Sequence, residues 1–280
     1  LIDVRREDDH IVHRVLMVPG NWGAFLDAAR RGRISAQVAP SHRAPTLRHH
    51  TATHMLHAAL RRTLGTHVKQ AGSRVAPDRL RFDYSHFEAA SREQLAAIEA
   101  MVSDWILANR EVSCKVMPIA EARAQGAMAL FGEKYGAQVR MVTVDGVPET
   151  GIEPSRELCG GIHVSRTGDI GAFLIVADSA VAAGVRRIEA LCGSEALAHL
   201  KAQQETLERA AAVLQVAPAA LPDQVEKLKA ELAAMKKAQS EAARGGLEAE
   251  MARLASGASS TGNARWIVAL IQSEADANAV

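Results

Sequence analysis

His50 and His54, in the run His50-Thr51-Ala52-Thr53-His54, are the first residues whose type and spacing suggest chemistry. On a helix, residues four apart share a face, so both imidazoles can point at one metal ion. The pair alone carries little weight in a chain with 11 histidines. His54 and His57, three apart, are an alternative pair, and His49 is a further neighbour. Thr51 stands where an HExxH metalloprotease has its glutamate, which disfavours that chemistry. About a hundred residues later comes Glu157-Leu158-Cys159-Gly160-Gly161-Ile162-His163. Cysteine and histidine four apart, with two glycines permitting a tight turn, can supply the other half of a tetrahedral site. Three imidazole nitrogens and one thiolate suit zinc better than magnesium or calcium. The bland alternative is a buried Cys159 beside an unrelated surface His163. Glu157 and Asp83 are carboxylates available to orient the rings, and both read as surface charges.

These residues need rigid elements to hold them. Ala52, Met55, Leu56, Ala59, Leu60 and Leu64 recur at spacings of three and four, and Gly65 supplies a stop, which predicts an amphipathic helix over 50–64. Ser91, followed three residues on by Gln94, opens a second helix reaching Asn109. Residues 79–84, 138–144 and 172–177 read as strands, with 188–191 a weaker case. The middle of the chain is therefore α+β. Residues 1–48 carry short apolar runs, Ile11 to Val18 and Ile34 to Val38, and read as a small β subdomain. Residues 49–195 form the domain that holds the metal set, and 196–256 an Ala/Glu/Lys-rich helical arm broken by Pro218 and Pro222. Val225, Leu228, Leu232 and Met235 make a heptad seam of under two heptads, which favours a helical hairpin over a dimer contact. Gly245 and Gly246 read as a hinge, and 257–280 as a linker followed by a strand from Arg265 to Ile271 that begins a truncated further domain.

With 280 residues, 48% hydrophobic and 23% charged, composition excludes a wholly disordered, collagen-like or disulfide-built chain. No apolar run reaches the roughly 18 residues of a membrane span, and the start has no signal-peptide pattern. Leu1 in place of Met suggests a fragment. Three cysteines, Cys114, Cys159 and Cys192, point to a reducing compartment and hence the cytoplasm. The net charge of +1 hides an asymmetry: residues 1–86 carry 14 Lys/Arg against 7 Asp/Glu, and nine of the histidines. A polyanion such as nucleic acid is a fitting partner for that third, through arginines that include Arg61, Arg62, Arg74 and Arg81. No Gly-rich nucleotide loop occurs, so ATP use is not expected.

The segments His50 to Leu60, Leu64-Gly65-Thr66-His67-Val68-Lys69-Gln70-Ala71-Gly72-Ser73, Leu80 to His86, Gly126 to Gly136, Cys159 to His163 and Arg186 to Ala190 together resemble the editing domain of bacterial alanyl-tRNA synthetase. The resemblance is strong over 1 to about 195, and by order and composition alone the arm is similar to the start of that enzyme's C-terminal region. It implies a zinc-containing domain of mixed helices and antiparallel sheet, with His50, His54, Cys159 and His163 as ligands of Zn2+. It also implies Gln70 in the editing pocket, as the candidate catalytic and substrate-binding residue. The implied reaction is hydrolysis of the ester joining serine or glycine to the 3′ end of tRNA(Ala), with no membrane involved and a homodimer open for the full-length protein. Two departures stand out: Ile162 where the family shows threonine, and Val38-Ala39-Pro40-Ser41-His42-Arg43 where it shows an acid and paired arginines.

A pocket built for alanine cannot strongly exclude glycine, one methylene being worth about 1 to 3 kcal/mol, nor a serine that only adds a hydroxyl. A second sieve must therefore accept serine through a polar group satisfied only by that hydroxyl. Thr53 and Gln70 are the candidates, against a Thr53 bonded to its own helix carbonyl and a solvated Gln70 amide. Four protein ligands make a closed set, so the metal either positions substrate, the slightly favoured reading, or opens a position to activate water. A zinc-stabilised tRNA-binding or dimerisation module without hydrolysis is the alternative.

Overall fold

Ten buried residues between His49 and Leu60 give the central helix, α2 (Pro40–Leu64), a nearly continuous covered surface, so it must be packed on several sides. The computed structural model describes residues 3–8, 10–14, 20–33, 38–128, 135–148, 151, 155–262 and 264–266. On one side α2 meets a four-stranded antiparallel sheet in the order β3 (Gln70–Val75), β4 (Leu80–Ser85), β9 (Val185–Cys192), β8 (Phe173–Ala182). Alternation along β4 sends Leu80, Phe82 and Tyr84 inward. α3 (Arg92–Leu107) adds Ile98, Val102 and Trp105 to the same core, against Met55, Leu56, Leu60 and Ile188. A second antiparallel sheet, β5 (Val112–Pro118), β6 (Gln138–Val144), β7 (Ser155–Leu158), reaches α2 through β7. The architecture is α+β, as the periodicities predict, with the antiparallel sheets that the resemblance implies.

Differences from the sequence reading have local causes. α2 begins ten residues before His50, with Pro40 in its first turn and Pro45 inside. A proline at Pro45 leaves one ladder bond unmade, that to the Ser41 carbonyl, which burial of the following turns outweighs. The expected β unit of 1–48 holds a hairpin, β1 (Asp3–Glu7) and β2 (His10–Arg14), but also the helix α1 (Trp22–Arg30). Part of its second apolar run, 34–37, lies outside the described residues, as do 15–18 of the first and 129–134 of the Gly126 to Gly136 motif. Ser91 caps α3 as predicted, its hydroxyl accepting from Gln94 N–H while the Gln94 side chain accepts from Ser91 N–H. A short helix, α4 (Ile119–Ala124), follows β5.

The chain divides into two units, Leu1–Ala198 and His199–Val280. In the second, the C-terminal part of α5 (Ser194–Val213) precedes a short 3-10 turn at Pro218–Ala220 and then α6 (Leu221–Ser256). The expected hairpin does not form, because α5 and α6 share no packed face. α6 has no buried residue, and Val225, Leu228, Leu232 and Met235 are exposed. Nor is there a hinge at Gly245 and Gly246: the helix runs through both, flanked by the i,i+4 pairs Lys237–Glu241 and Arg244–Glu248. The expected linker instead contains an antiparallel pair, β10 (Ser259–Thr261) and β11 (Ala264–Trp266), and the predicted strand beyond Trp266 lies outside the described residues. No described helix is long and apolar enough to cross a membrane.

Candidate metal centre

Helix α2 and the turn that follows β7 bring together all four residues expected to hold a metal. One donor atom each from His50, His54, Cys159 and His163 lies within 4.8 Å of the others. Ring centroids of His50 and His163 are 4.4 Å apart, and those of His54 and His163 5.0 Å. Cys159 Sγ is 3.4 Å from His50 Nε2.

What makes these rings competent is the state of their second nitrogens. His54 Nδ1–H donates to Glu157 Oε2 at 2.7 Å, which aims Nε2 away from the carboxylate and into the cluster. The Thr51 hydroxyl donates to the Leu47 carbonyl at 3.1 Å, so toward His163 Nδ1, 3.3 Å away, it can only accept. His163 Nε2 therefore keeps its lone pair. Both His54 Nε2 and His163 Nε2 are buried atoms without a hydrogen-bond partner, an expensive condition that a bound cation relieves. These orphaned nitrogens and the adjacent thiolate fit a metal ion.

The electrostatics agree. Burial pushes the Cys159 thiol up, but the His163, His50 and His54 rings outweigh it and hold it at about 3, so this candidate donor is a thiolate. Burial also raises the Glu157 carboxyl, yet His54 and His57 bring it to about 2. His54 is lowered by burial and raised by Glu157 and Cys159 to about 10, so at neutral pH its Nε2 carries a proton that a metal would displace. Burial lowers His163 and keeps that ring neutral.

The turn itself is shaped for this purpose. A Cβ at Gly161 would lie 1.9 Å from His50 Cε1, so no side chain fits there. Arg140 Nη1 donates to the carbonyls of Cys159 at 3.1 Å and Gly161 at 2.5 Å, and Val164 N–H donates to Thr51 Oγ1. Helix and turn are thus tied by Thr51 as well as by the cluster.

Glu157 corrects the sequence reading. It is no surface charge: at 4% exposure it sits between His54 and His57, accepting from His57 Nδ1 at 3.0 Å. His57 lies outside the four-residue cluster, with its ring against Phe82. His49 also has another duty, accepting the Cys192 N–H at 3.0 Å. Asp83 forms a two-pronged ion pair with Arg187 at 2.7 and 2.8 Å on the sheet. Thr51 and Arg140 are the site residues that sequence reasoning missed, while Glu157 was named as a carboxylate available to orient the rings but read as a surface charge. The only signal was position: Thr51 one residue from a ligand, and Glu157 two before another.

Thr53 is buried, its hydroxyl donating to the His49 carbonyl at 2.8 Å. Gln70, half-buried at the start of β3, donates its amide to Ser73 Oγ at 3.2 Å. Among the described residues no hydrogen bond joins either to the four-residue cluster. Ile162 is half-buried in the turn.

Comparison with known proteins places this geometry. Residues 139–189 match the family model described as the threonyl and alanyl tRNA synthetase second additional domain. The chain is 54% identical over 221 residues to the alanine–tRNA ligase of Deinococcus radiodurans, covering 78% of this chain and 25% of that protein. It is 54% identical over 218 residues to that of Thermus thermophilus, covering 75% and 24%. To that of Shewanella loihica it is 50% identical over 208 residues, 74% and 23%. The chain spans about a quarter of the length of the relatives it matches. Over about three-quarters of its own length, the chain is similar to alanyl-tRNA synthetases.

Proposed function

We propose that the chain carries the editing activity of an alanyl-tRNA synthetase: hydrolysis of the ester that joins serine or glycine to the 3′ end of tRNA(Ala), in the cytoplasm, with zinc as the resident metal. The observation that carries this reading is the donor set, three imidazoles and one thiolate, with the outer nitrogens of His54 and His163 already held by Glu157 and Thr51. Such a mixed soft set suits zinc. In this reading 49–195 is the editing domain, preceded by 1–48 and followed by the arm at 196–256 and the region 257–280.

A zinc ion held by these ligands supplies Lewis acidity to an ester carbonyl or a hydroxyl oxygen. The chain's own residues do the rest. Glu157 keeps His54 in one orientation and holds a negative charge behind it. Thr51 fixes His163, and Gly161 leaves room for the His50 ring. Gln70 supplies a polar group for the serine hydroxyl, a step that requires its amide to leave Ser73, and Thr53, whose hydroxyl proton is committed to the His49 carbonyl, can offer that hydroxyl only an acceptor. A hydroxyl that satisfies such a group gains what the alanine methyl cannot, which is the physical basis of selective hydrolysis.

A second reading is a metal-stabilised tRNA-binding or dimerisation module without turnover, favoured by the closure of the set with four protein donors. Incubating the zinc-loaded protein with seryl- and alanyl-charged tRNA(Ala) separates the two. Faster loss of the seryl ester, abolished by Gln70→Ala, supports editing, whereas tRNA binding with no loss of either ester supports the module.

A further inference from the structure

The two elements that carry the metal set also wall a second feature. One turn beyond His54 on α2, and just before Glu157 on β7, opens a cleft of about 430 Å3. Its floor is apolar, from Met101, Trp105 and Met128, and its rim carries Arg61, Arg62 and Arg156. No aspartate or glutamate lines it among the described residues. Arg61 is held in place by donating from Nη1 to the carbonyls of Thr66 and Val68, both at 2.8 Å. Arg62 and Arg156 have no ion pair among the described residues.

The contrast with the other arginine-rich hollow is instructive. That hollow, on the four-stranded sheet, is lined by Arg74, Arg79 and Arg81 but also by Asp78 and Glu189. Arg79 is bonded to both acids, at 3.1 and 2.8 Å, so much of the local charge is already balanced. Among the described residues, the α2 cleft sets three guanidinium groups over an apolar floor with no acid between them. A polyanion whose charges alternate with flat, weakly polar groups matches such a surface better than an inorganic ion or an acidic peptide does, because the floor would go unused by either.

We propose that this cleft binds single-stranded RNA, with Arg62 and Arg156 on successive phosphates and a ribose or base against the Met101, Trp105 and Met128 floor. Placing it beside the metal centre rests on the editing reading: a 3′ end lying here extends along α2, where His54 and Arg62 are eight residues or about 12 Å apart, with its terminal ester toward the metal. Sequence reasoning had Arg61 and Arg62 within a general basic surface. Arg156 lay outside that surface, and only the fold brings it to them.

The test uses the 280-residue protein, a fluorescent single-stranded RNA oligonucleotide and the variants Arg62→Ala, Arg156→Ala, their combination, and Arg74→Ala as the comparison from the sheet hollow. The double variant is expected to bind about tenfold more weakly, with its salt dependence shallower by about 1.4, the share of two phosphate contacts at about 0.7 each. Arg74→Ala is expected to bind as the unmodified protein does, and unchanged thermal melting shows that the variants remain folded. Equal weakening by Arg74→Ala, no RNA binding by the unmodified protein, or equally effective competition by an acidic peptide of the same charge would each overturn the assignment. Seryl-tRNA deacylation by the same variants is expected to lose efficiency through KM. If the unmodified protein deacylates nothing, the editing reading fails, and the binding arm alone still decides the cleft.

Discussion

His54 and His163 in the candidate metal centre, and His67 and His86 at the edge of the four-stranded sheet, place their rings at nearly the same separation, 5.0 and 5.1 Å between centroids. Their nitrogens meet different fates. His67 Nε2 and His86 Nδ1 lie 2.9 Å apart and satisfy each other, one donating and one accepting. Among the described residues no third donor joins them. In the centre, Glu157 and Thr51 occupy the outer nitrogens, and the inner ones are left facing a thiolate. Proximity of imidazoles therefore does not make a metal site. Burial, a thiolate, and partners that dictate which nitrogen is free do.

The largest expected effect breaks the centre outright. Cys159→Ala should weaken zinc binding by more than about 100-fold, the upper figure for loss of a mere outer partner, read as metal content after dialysis against a chelator. Retention of one zinc per chain would remove Cys159 from the ligand set. Next, Glu157→Gln keeps the shape but removes the charge behind His54, and a 10- to 100-fold loss of zinc affinity is expected from competition titration.

A pH series sharpens the same point. His54, held near 10, is protonated across the neutral range, and zinc must displace that proton. Affinity should therefore rise by about tenfold per pH unit between pH 6 and 8 and fall as pH drops, with about one proton released per zinc in calorimetry. In Glu157→Gln the anion that raises His54 is gone, and this release should shrink. Thr51→Val strands the His163 Nδ1–H and the Val164 N–H, for an expected loss of about 1 to 3 kcal/mol in urea unfolding. The smallest effect belongs to the exposed pair: His86→Ala should leave zinc affinity unchanged and stability within about 0.5 kcal/mol.

Much of this was legible in the chain itself. Helical spacing from Ala52 to Leu64 predicted the element that carries His50 and His54, and the Ser91 and Gln94 pair marked the start of α3 because capping is a local interaction. The β7 strand, four residues long, was too short to show alternation, which is why Glu157 passed for a surface charge. Gly245 and Gly246 suggested a hinge by type alone, yet a helix with no buried face runs through them.

Sequence by itself determined the candidate donors: two histidines one turn apart, and a cysteine and a histidine around paired glycines, which the fold brings within 4.8 Å of one another. It could not determine how those donors are oriented, because the atoms responsible, Thr51 Oγ1, the Glu157 carboxylate and the Arg140 guanidinium, act across 112, 103 and 19 to 21 residues of chain. The bonds of Thr51 and Glu157 exist only once β7 and the turn after it pack against α2, and those of Arg140 only once β6 pairs with β7. The tertiary structure likewise decided that Arg156 joins Arg61 and Arg62, since β7 must pack against α2 before their charges can add.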